Sequence, residues 1–405
     1  MIFQLAWRNI WRNPRRTVVI STAVVIGVWS MVFLGALMRG ISDGMIRNGI
    51  AAMTGHIQIH RAGYRADPVI ENSMVDTEIV ESALDKSLPS GAWWTRRIRV
   101  NAVAANARHS AGVTLVGVEP DWEARVSFIG NAVTQGRYLS PDDPRGIIVG
   151  EALLDKFETR LGRKLIVMSQ DTDKEIASRA FRIVGVFQAE MEATEKEFVF
   201  INLPAARKLV KLDGGCSEYA MILPDDKTVP NTIRVLKEKF PEDLEVVAWN
   251  ELLPLLTAYL GIMDGFIAIW YVVVFVAMGF GIVNTTLMAV FERMREFGLM
   301  KALGMKPWWI VRDVLMESFI LLLMGMVIGN VLGVASIQAL SGGLNLTAFA
   351  EGAEYAGMSR IIFPSLYARD VFLANAVVFG LGLLISLYPA VKAARFTPVE
   401  AMARN

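Results

Sequence analysis

Four long apolar runs constrain this chain more than any other feature of its sequence. They cover residues 17–39, 262–291, 313–340 and 371–391. Each is long enough to cross a bilayer, which takes about 20 apolar residues. The first run exceeds the apolar core of a cleaved signal peptide and lacks a clean cleavage site, so we interpret it as a retained anchor. The sequence therefore predicts a membrane protein with four transmembrane helices.

The basic residues predict the orientation of the chain, because cytoplasmic loops are enriched in Lys and Arg. Basic residues precede the first run, separate the second from the third, and follow the fourth. In that order they are Arg8, Arg12, Arg15 and Arg16; Arg293, Arg295, Lys301, Lys306 and Arg312; and Lys392, Arg395 and Arg404. The stretch between the third and fourth runs offers only Arg360 and Arg369. We expect a protein of the inner (cytoplasmic) membrane with both termini in the cytoplasm.

Residues 40–261 separate the first two runs and are predicted to form a soluble domain outside the cytoplasm. GHIQIH, at 55–60, alternates polar and apolar residues as a half-buried strand does. Residues 77–87 are predicted to form a helix capped by Asp76. Later segments, among them VTLVGV, FRIVGVF and EFVFIN, are typical of strands. We predict an α+β domain, with a second lobe at 136–215.

The predicted fold class is an α-helical membrane protein with four transmembrane helices and a large α+β extracytoplasmic domain inserted between helices 1 and 2. Short segments precede, link and follow these elements. The predicted order is an interfacial helix at 1–16, helix 1 at 17–39, the inserted domain at 40–261, helix 2 at 262–291, a linking segment at 292–312, helix 3 at 313–340, a periplasmic loop at 341–370, helix 4 at 371–391 and a cytoplasmic tail at 392–405.

The sequence IFQLAWRNIWRN, ahead of the first run, is amphipathic on a helical wheel. Trp7 and Trp11 share a stripe with apolar neighbours, whereas Arg8 and Arg12 lie on another. This pattern is typical of a short helix in the membrane interface, with Trp at the depth of the headgroups. A flanking anchor with no other role is the alternative.

The sequence offers little material for a catalytic or metal site. Cys216 is the single cysteine, and no histidine lies near it in sequence to activate it. His56 and His60 share one face of the predicted strand, which we expect to be solvated. No GxxxxGK[ST] phosphate loop is present, so a partner must bind any ATP, and LSGG within ALSGGLNL is not an ATPase signature. A net charge of +1 gives no field that would attract nucleic acid.

Polar residues inside the apolar runs are candidate transport sites, because they are costly in a bilayer. Asp264 and Glu317 lie near the ends of their runs, where we expect them to be hydrated. Asn330 and Asn375 are expected to bond neighbouring helices instead of lining an ion path. No acidic residue is evident at mid-membrane and no inverted repeat is visible, which argues against a secondary transporter.

The linking segment, FERMREFGLMKALGMKPWW, is rich in charge without a catalytic pattern. Gly304, followed by Pro307, predicts a helix stop. Its apolar residues form no single stripe, which favours a helix with contacts on several sides or one bent at Gly298. A docking helix and an ordinary solvated loop both remain open on these grounds.

At this segment the chain resembles the FtsX/MacB-like ABC permease family. The matching residues after the second run are Glu292, Arg293, Glu296, Gly298, Lys301, Ala302 and Gly304. The tail PAVKAARFTPVEAMAR is similar to the family's ending, except that Met402 stands where Leu is usual and the last basic residue, Arg404, comes one place late. The resemblance covers nearly the whole chain.

The resemblance implies a permease subunit that is not itself an enzyme and binds no cofactor. Its partners would be two cytoplasmic ABC ATPase subunits, which hold the ATP and Mg, and a second permease copy or paralogue. The linking segment would dock on the ATPases and pass their motion to the periplasmic domain. The implied coupling residues are Glu292, Arg293, Glu296, Gly298, Lys301 and Gly304, braced by Arg8 and Arg12 of the interfacial helix.

Within the family, LAWRNIWRNPRRT and TGHIQIH are most similar to lipoprotein-releasing permeases. This implies extraction of lipoproteins or similar amphiphiles from the outer leaflet of the inner membrane. Candidate cavity residues are Val25, Trp29 and Phe33 in the first run and Ile267, Tyr271 and Phe275 in the second. Two alternatives stay open: a regulator that switches on periplasmic cell-wall hydrolases, and an efflux or peptide-export permease with an outer-membrane partner.

Overall fold

A computed structural model describes residues 2–345 and 361–396 of the chain. Several residues named above lie outside these ranges: Arg360, Met402, Arg404 and the rest of the tail from residue 397. The described residues divide into two compact units. The membrane unit contains residues 2–43, 260–345 and 361–396, and the inserted domain contains residues 44–259.

Four helices are long and apolar enough to cross a membrane, as predicted. Span 1 is Pro14–Gly49, span 2 is Pro254–Glu292, span 3 is Pro307–Ala339 and span 4 is Ala368–Arg395. Each helix is longer than the apolar run predicted for it. The N-terminal helix, Ile2–Arg12, precedes span 1, and the linker helix, Met294–Ala302, joins spans 2 and 3.

Spans 1 and 3 approach closely along three glycines of span 3. Gly325, Gly329 and Gly333 recur at every fourth position, and a Cβ on any of them would lie 2.6–2.9 Å from a valine of span 1. The valines are Val24, Val28 and Val32. Such small residues let membrane helices pack backbone to backbone. Asn330 and Asn375 exchange hydrogen bonds of 2.7 and 3.0 Å between spans 3 and 4, which confirms the predicted helix–helix bonding.

The inserted domain is built on one ten-stranded sheet with helices packed on it, which confirms the α+β prediction. The strands are β1 Ile57–Arg61, β2 Trp93–Ala105, β3 Ser110–Val118, β4 Val133–Gly136, β5 Gly146–Gly150, β6 Lys164–Gln170, β7 Ile176–Phe187, β8 Phe198–Asn202, β9 Glu218–Ile222 and β10 Leu244–Ala248. The helices are α1 Glu78–Ser87, α2 Pro120–Val126, α3 Ile129–Ala132, α4 Glu151–Lys156, α5 Glu192–Glu197, α6 Leu203–Val210, α7 Val229–Lys239 and α8 Trp249–Leu252. The strand order is β10-β1-β9-β2-β3-β8-β5-β7-β4, and β6 pairs with β2 and β7. A single sheet therefore runs through both of the predicted lobes.

A buried ion cluster lies within the inserted domain. Arg97 of β2 donates to both carboxylate oxygens of Glu123 at 2.7 and 2.8 Å, and to Glu218 of β9 at 3.2 Å. The three side chains are at most 1% exposed. Arg97 also donates to the Met53 carbonyl, in the turn Ile50–Thr54 that follows span 1. The cluster therefore joins two strands, one helix and the turn at which the chain enters this domain.

Two predicted details of this domain are wrong. Helix α1 begins at Glu78 after Thr77, and no side chain caps it, so Asp76 is not its cap. The polar face of β1 is buried and not solvated, because Tyr64 stacks on His60 and the turn Ile50–Thr54 packs against Gln58, which donates to its carbonyls. His56 bonds to Asp226 at 2.5 Å and His60 bonds to Gln58 at 2.9 Å.

The candidate metal and nucleophile residues are accounted for by this packing. Burial lowers the pKa of His60, which keeps its ring neutral, and among the described residues no group of three possible ligands could hold a metal ion. Cys216 is buried, and burial raises the pKa of its thiol to about 12. A thiol with so high a pKa is inert as a nucleophile at neutral pH.

Candidate functional site

The linker helix is separated from spans 2 and 3 by a break on each side. Span 2 ends at Glu292, and Arg293 has non-helical angles of φ −101° and ψ 11°. Beyond the linker helix the chain turns at Gly304, whose φ of +92° favours glycine, and Pro307 begins span 3. The predicted stop is therefore confirmed. The chain breaks at Arg293, whereas Gly298 is buried within the helix.

Arg293 is the centre of an ion-pair network at this end of the membrane unit. Its guanidinium lies 3.1 Å from Asp313, 3.2 Å from Glu317 and 3.3 Å from Glu296. The ring of Phe297 lies beneath the guanidinium, 5.0 Å away. One planar cation thus binds two carboxylates of span 3 and one of the linker helix, a geometry that the forked donors of arginine allow.

Glu317 is held by a second arginine, Arg16 of span 1. Their side chains are 9% and 6% exposed, so the expectation that Glu317 is hydrated near a span end is wrong. Side chains of span 1, span 3 and the linking segment surround the Glu317 carboxylate. A charge removed from water in this way is stable only when it is paired, and Glu317 is paired with two arginines.

The network continues to the N-terminal helix through Glu296. Arg12 lies 2.6 Å from Glu296, and the neighbouring Asn13 donates to Glu292 at 3.2 Å. Partial burial acts to raise the pKa of Glu296, but hydrogen bonds from Arg12 and Arg293 hold it below its usual range. Glu296 is therefore ionised at neutral pH and bridges the two arginines.

Lys301 ties the other end of the linker helix to span 4. Its Nζ donates to the backbone carbonyls of Ala394 and Phe396 at 2.9 and 2.6 Å. The last carbonyls of a helix have no partner within the helix and carry the negative end of its dipole, so a lysine stabilises them. Arg293 and Lys301 thus both make contacts within the membrane unit.

The N-terminal helix presents one buried and one exposed side. Ala6 and Ile10 are fully buried in the same core as spans 1 and 3. The exposed residues include the four predicted for the interface: Trp7, Arg8, Trp11 and Arg12. The aromatic and basic side chains therefore face outward from the bundle, as an interfacial helix requires.

An apolar groove of about 410 Å³ opens between spans 1 and 2. It is lined by apolar side chains, one glycine and one tyrosine: Leu34, Gly35, Met38, Met263, Phe266, Ile267, Ile269, Trp270, Tyr271 and Val273. Gly35 leaves space for the Tyr271 hydroxyl, which would lie 2.9 Å from a Cβ at that position. The volume of the groove falls within the range of about 300–1,000 Å³ that is typical of ligand pockets.

The structure brings only some of the predicted cavity residues to this groove. Ile267 and Tyr271 line it. Trp29 and Phe33 stack at 5.8 Å, and the Trp29 Nε1 donates to Ser336 of span 3, so this pair belongs to another part of the bundle. Val25 is half-buried, and Phe275 packs against the core of the membrane unit.

Arg39 joins three spans beside the groove, next to the lining residue Met38. It lies 2.5 Å from Asp264 of span 2 and 2.7 Å from Asp370 of span 4. The Asp370 pair is largely covered, whereas the Asp264 side chain is mostly exposed. The contact between spans 1 and 2 is therefore the more hydrated of the two.

Sequence reasoning missed Arg16, Asp313 and Glu317 as members of the ion-pair network. A signal was available for two of them. Asp313 and Glu317 are four residues apart, so they share one face of a helix, and a carboxylate within a membrane run is a functional candidate by default. Arg16 stands among other basic residues at the start of span 1, and the sequence does not reveal whether its side chain points into the bundle or into solvent.

Comparison with known proteins matches two family models to this chain. The MacB-like periplasmic core domain matches residues 17–238 and the FtsX-like permease C-terminal domain matches residues 268–398. Among curated relatives, the lipoprotein-releasing system transmembrane protein LolE of Haemophilus influenzae is 23% identical over 100% of this chain and 99% of its own length. LolC of Neisseria meningitidis, with the same description, is 22% identical over 95% of this chain and 93% of its own length.

A third relative is the macrolide export ATP-binding/permease protein MacB of Campylobacter jejuni. It is 24% identical over 100% of this chain, which covers 61% of that protein. The MacB-like model alone covers more than half of the 405 residues, and the two models together match residues 17–238 and 268–398. The chain therefore belongs to the FtsX/MacB-like family of ABC transporter permeases.

Proposed function

We propose that this permease extracts lipoproteins or similar amphiphiles from the outer leaflet of the inner membrane, driven by two separate cytoplasmic ATPase subunits. It works as a dimer with a second copy or a paralogue, with both of its termini in the cytoplasm. The observation that carries the proposal is the apolar groove between spans 1 and 2. Similarity to lipoprotein-releasing proteins over the whole chain supports the choice of substrate.

The groove suits an acyl chain because its lining has no charged side chain, and its polar side-chain groups are the Tyr271 hydroxyl and the Trp270 indole N–H. Extraction of a lipid anchor costs about 0.8 kcal/mol for each CH₂ moved into water. An apolar surface that receives the chain lowers this cost, and ATP hydrolysis by the partner supplies the remainder. Arg39 and Asp264 must separate if spans 1 and 2 part beside the groove.

The linker helix is the proposed docking site for the ATPase subunits. Leu299 in this helix and Leu303 just after it are 58% and 81% exposed, so both side chains are accessible to a partner. The network of Arg293, Glu296 and Lys301 then has a positioning role, since it fixes the linker helix to the N-terminal helix and to spans 3 and 4. Motion received at the linker helix is thereby passed to the spans.

Depletion of this protein in its own cell tests the proposed substrate. We expect lipoproteins that normally reach the outer membrane to stay in the inner membrane, as seen by density-gradient fractionation. Normal lipoprotein sorting would contradict the proposal. Normal sorting with sensitivity to exported compounds would favour efflux, the activity named for the MacB relative, and a cell-separation defect would favour the hydrolase regulator.

Filling the groove tests the site. Gly35→Leu places a side chain against Tyr271 and into the groove, so we expect roughly a tenfold loss of ATP-driven lipoprotein release, equivalent to about 1.4 kcal/mol. The measurement is release from reconstituted proteoliposomes. Gly380→Leu in span 4 is the matched control, because a Cβ there meets nothing within 4 Å. Unchanged release by Gly35→Leu would remove the groove from the mechanism.

A further inference from the structure

The N-terminal helix and the start of span 1 carry an exposed basic patch, made of Arg8, Arg12 and Arg15. Trp7 and Trp11 flank it, 41% and 57% exposed, with ring centroids 6.0 Å apart. Because Ala6 and Ile10 are buried on the other side of the helix, this face cannot turn inward. The patch is therefore fixed at the end of span 1 with its guanidinium groups in solvent.

The charge of the patch is largely unbalanced. In the part of the chain that the structure describes, no ion pair involves Arg8 or Arg15, and Arg12 pairs with Glu296 alone. Both side chains of that pair are well solvated, with exposures of 67% and 39%. A second anion that approaches Arg12 therefore meets no steric barrier.

We propose that this patch binds the headgroups of anionic phospholipids, and that the lipid competes with Glu296 for Arg12. Guanidinium groups bind phosphate through paired hydrogen bonds, and tryptophans settle at the depth of the headgroups. An exposed ion pair and the attraction of one arginine to an anionic membrane surface are of similar strength. Anionic lipid therefore shifts Arg12 away from Glu296 in an appreciable fraction of molecules.

The consequence falls on the linker helix. Glu296 keeps its ion pair with Arg293, and Lys301 keeps its hydrogen bonds to the carbonyls at the end of span 4. The linker helix therefore stays in place. It loses the ion pair that joins it to the N-terminal helix. Anionic lipid thus loosens the linker helix without unfolding it, which makes membrane composition a regulator of this surface. The proposal does not depend on the identity of the transported molecule.

The test places a spin label at Leu299→Cys on the linker helix of the full chain, in nanodiscs of phosphatidylcholine with or without phosphatidylglycerol. Native Cys216 is fully buried and will not take the label. We expect label mobility to rise with the phosphatidylglycerol fraction, from its low value in phosphatidylcholine alone, because the lipid takes Arg12 away from Glu296. Arg12→Gln and Glu296→Gln should each give high mobility in both lipids.

Charge-matched variants separate the patch from a general charge effect. Arg8→Gln with Arg15→Gln should raise several-fold the phosphatidylglycerol fraction needed for half of the response. Arg108→Gln with Lys174→Gln removes the same charge from the inserted domain and should respond as the unaltered protein does. Mobility that ignores phosphatidylglycerol, or a normal response in Arg8→Gln/Arg15→Gln, would overturn the proposal.

Discussion

Glu317→Ala is expected to destabilise the membrane unit by about 3–5 kcal/mol and to abolish coupling between ATP hydrolysis and transport. The substitution leaves Arg16 and Arg293 facing one another in a covered site without their shared carboxylate. The unfolding midpoint of the purified protein and the ATPase activity of the reconstituted complex measure the two effects.

Two further variants make this prediction specific. Glu292→Gln is the control, since Glu292 is exposed and accepts one hydrogen bond from Asn13, and it should change stability by less than about 0.5 kcal/mol. Arg16→Met in the Glu317→Ala background should recover part of the stability, because one unpaired buried charge is removed. If Glu317→Ala melts like the unaltered protein, the buried network does not hold the bundle together.

Arg97→Met should have an effect of similar size in the inserted domain, again about 3–5 kcal/mol. It leaves Glu123 and Glu218 as two unpaired carboxylates in a fully buried site and removes one of the two side-chain donors to the Met53 carbonyl, the other being Gln58. Limited proteolysis of the full chain measures the loss as faster cleavage of this domain.

The adjacent residue provides the matched control. Arg96 also pairs with two carboxylates, Glu81 and Glu119, but these side chains remain 25–29% exposed. Arg96→Met should therefore cost no more than about 1 kcal/mol. Equal sensitivity of the two variants to protease would mean that burial of the Arg97 cluster does not determine its contribution.

The sequence predicts those parts of the structure that depend on local pattern. Apolar length identified the four spans, and Gly304 with Pro307 identified the end of the linker helix. Burial of polar residues was not predictable, because it depends on which elements pack over them. Glu317 was expected to be hydrated, yet two arginines from different parts of the chain enclose it. His56 and His60 were likewise expected to be solvated, because the sequence does not reveal that other elements pack over them.

The candidate site shows the same limit. The linking segment was identified from its motif, but the directions of its side chains were not. Arg293 and Lys301 were predicted as members of a coupling surface, and the structure directs both toward neighbouring helices. In the groove, Ile267 and Tyr271 were found because span 2 faces span 1, while Trp29 and Phe33 point elsewhere. Helical rotation cannot be read from an apolar run that is uniform around its axis.

The three glycines of span 3 set a mechanical constraint on any gating motion. Their contacts with span 1 involve valine Cβ and Cγ atoms close to the main chain, which cannot yield without moving a whole helix. Span 2 meets span 1 through longer side chains instead, such as Met278 against Gly27 and Tyr271 against Gly35. Spans 1 and 3 should therefore move together as one rigid body, and span 2 should be the helix that moves away from them when the groove widens.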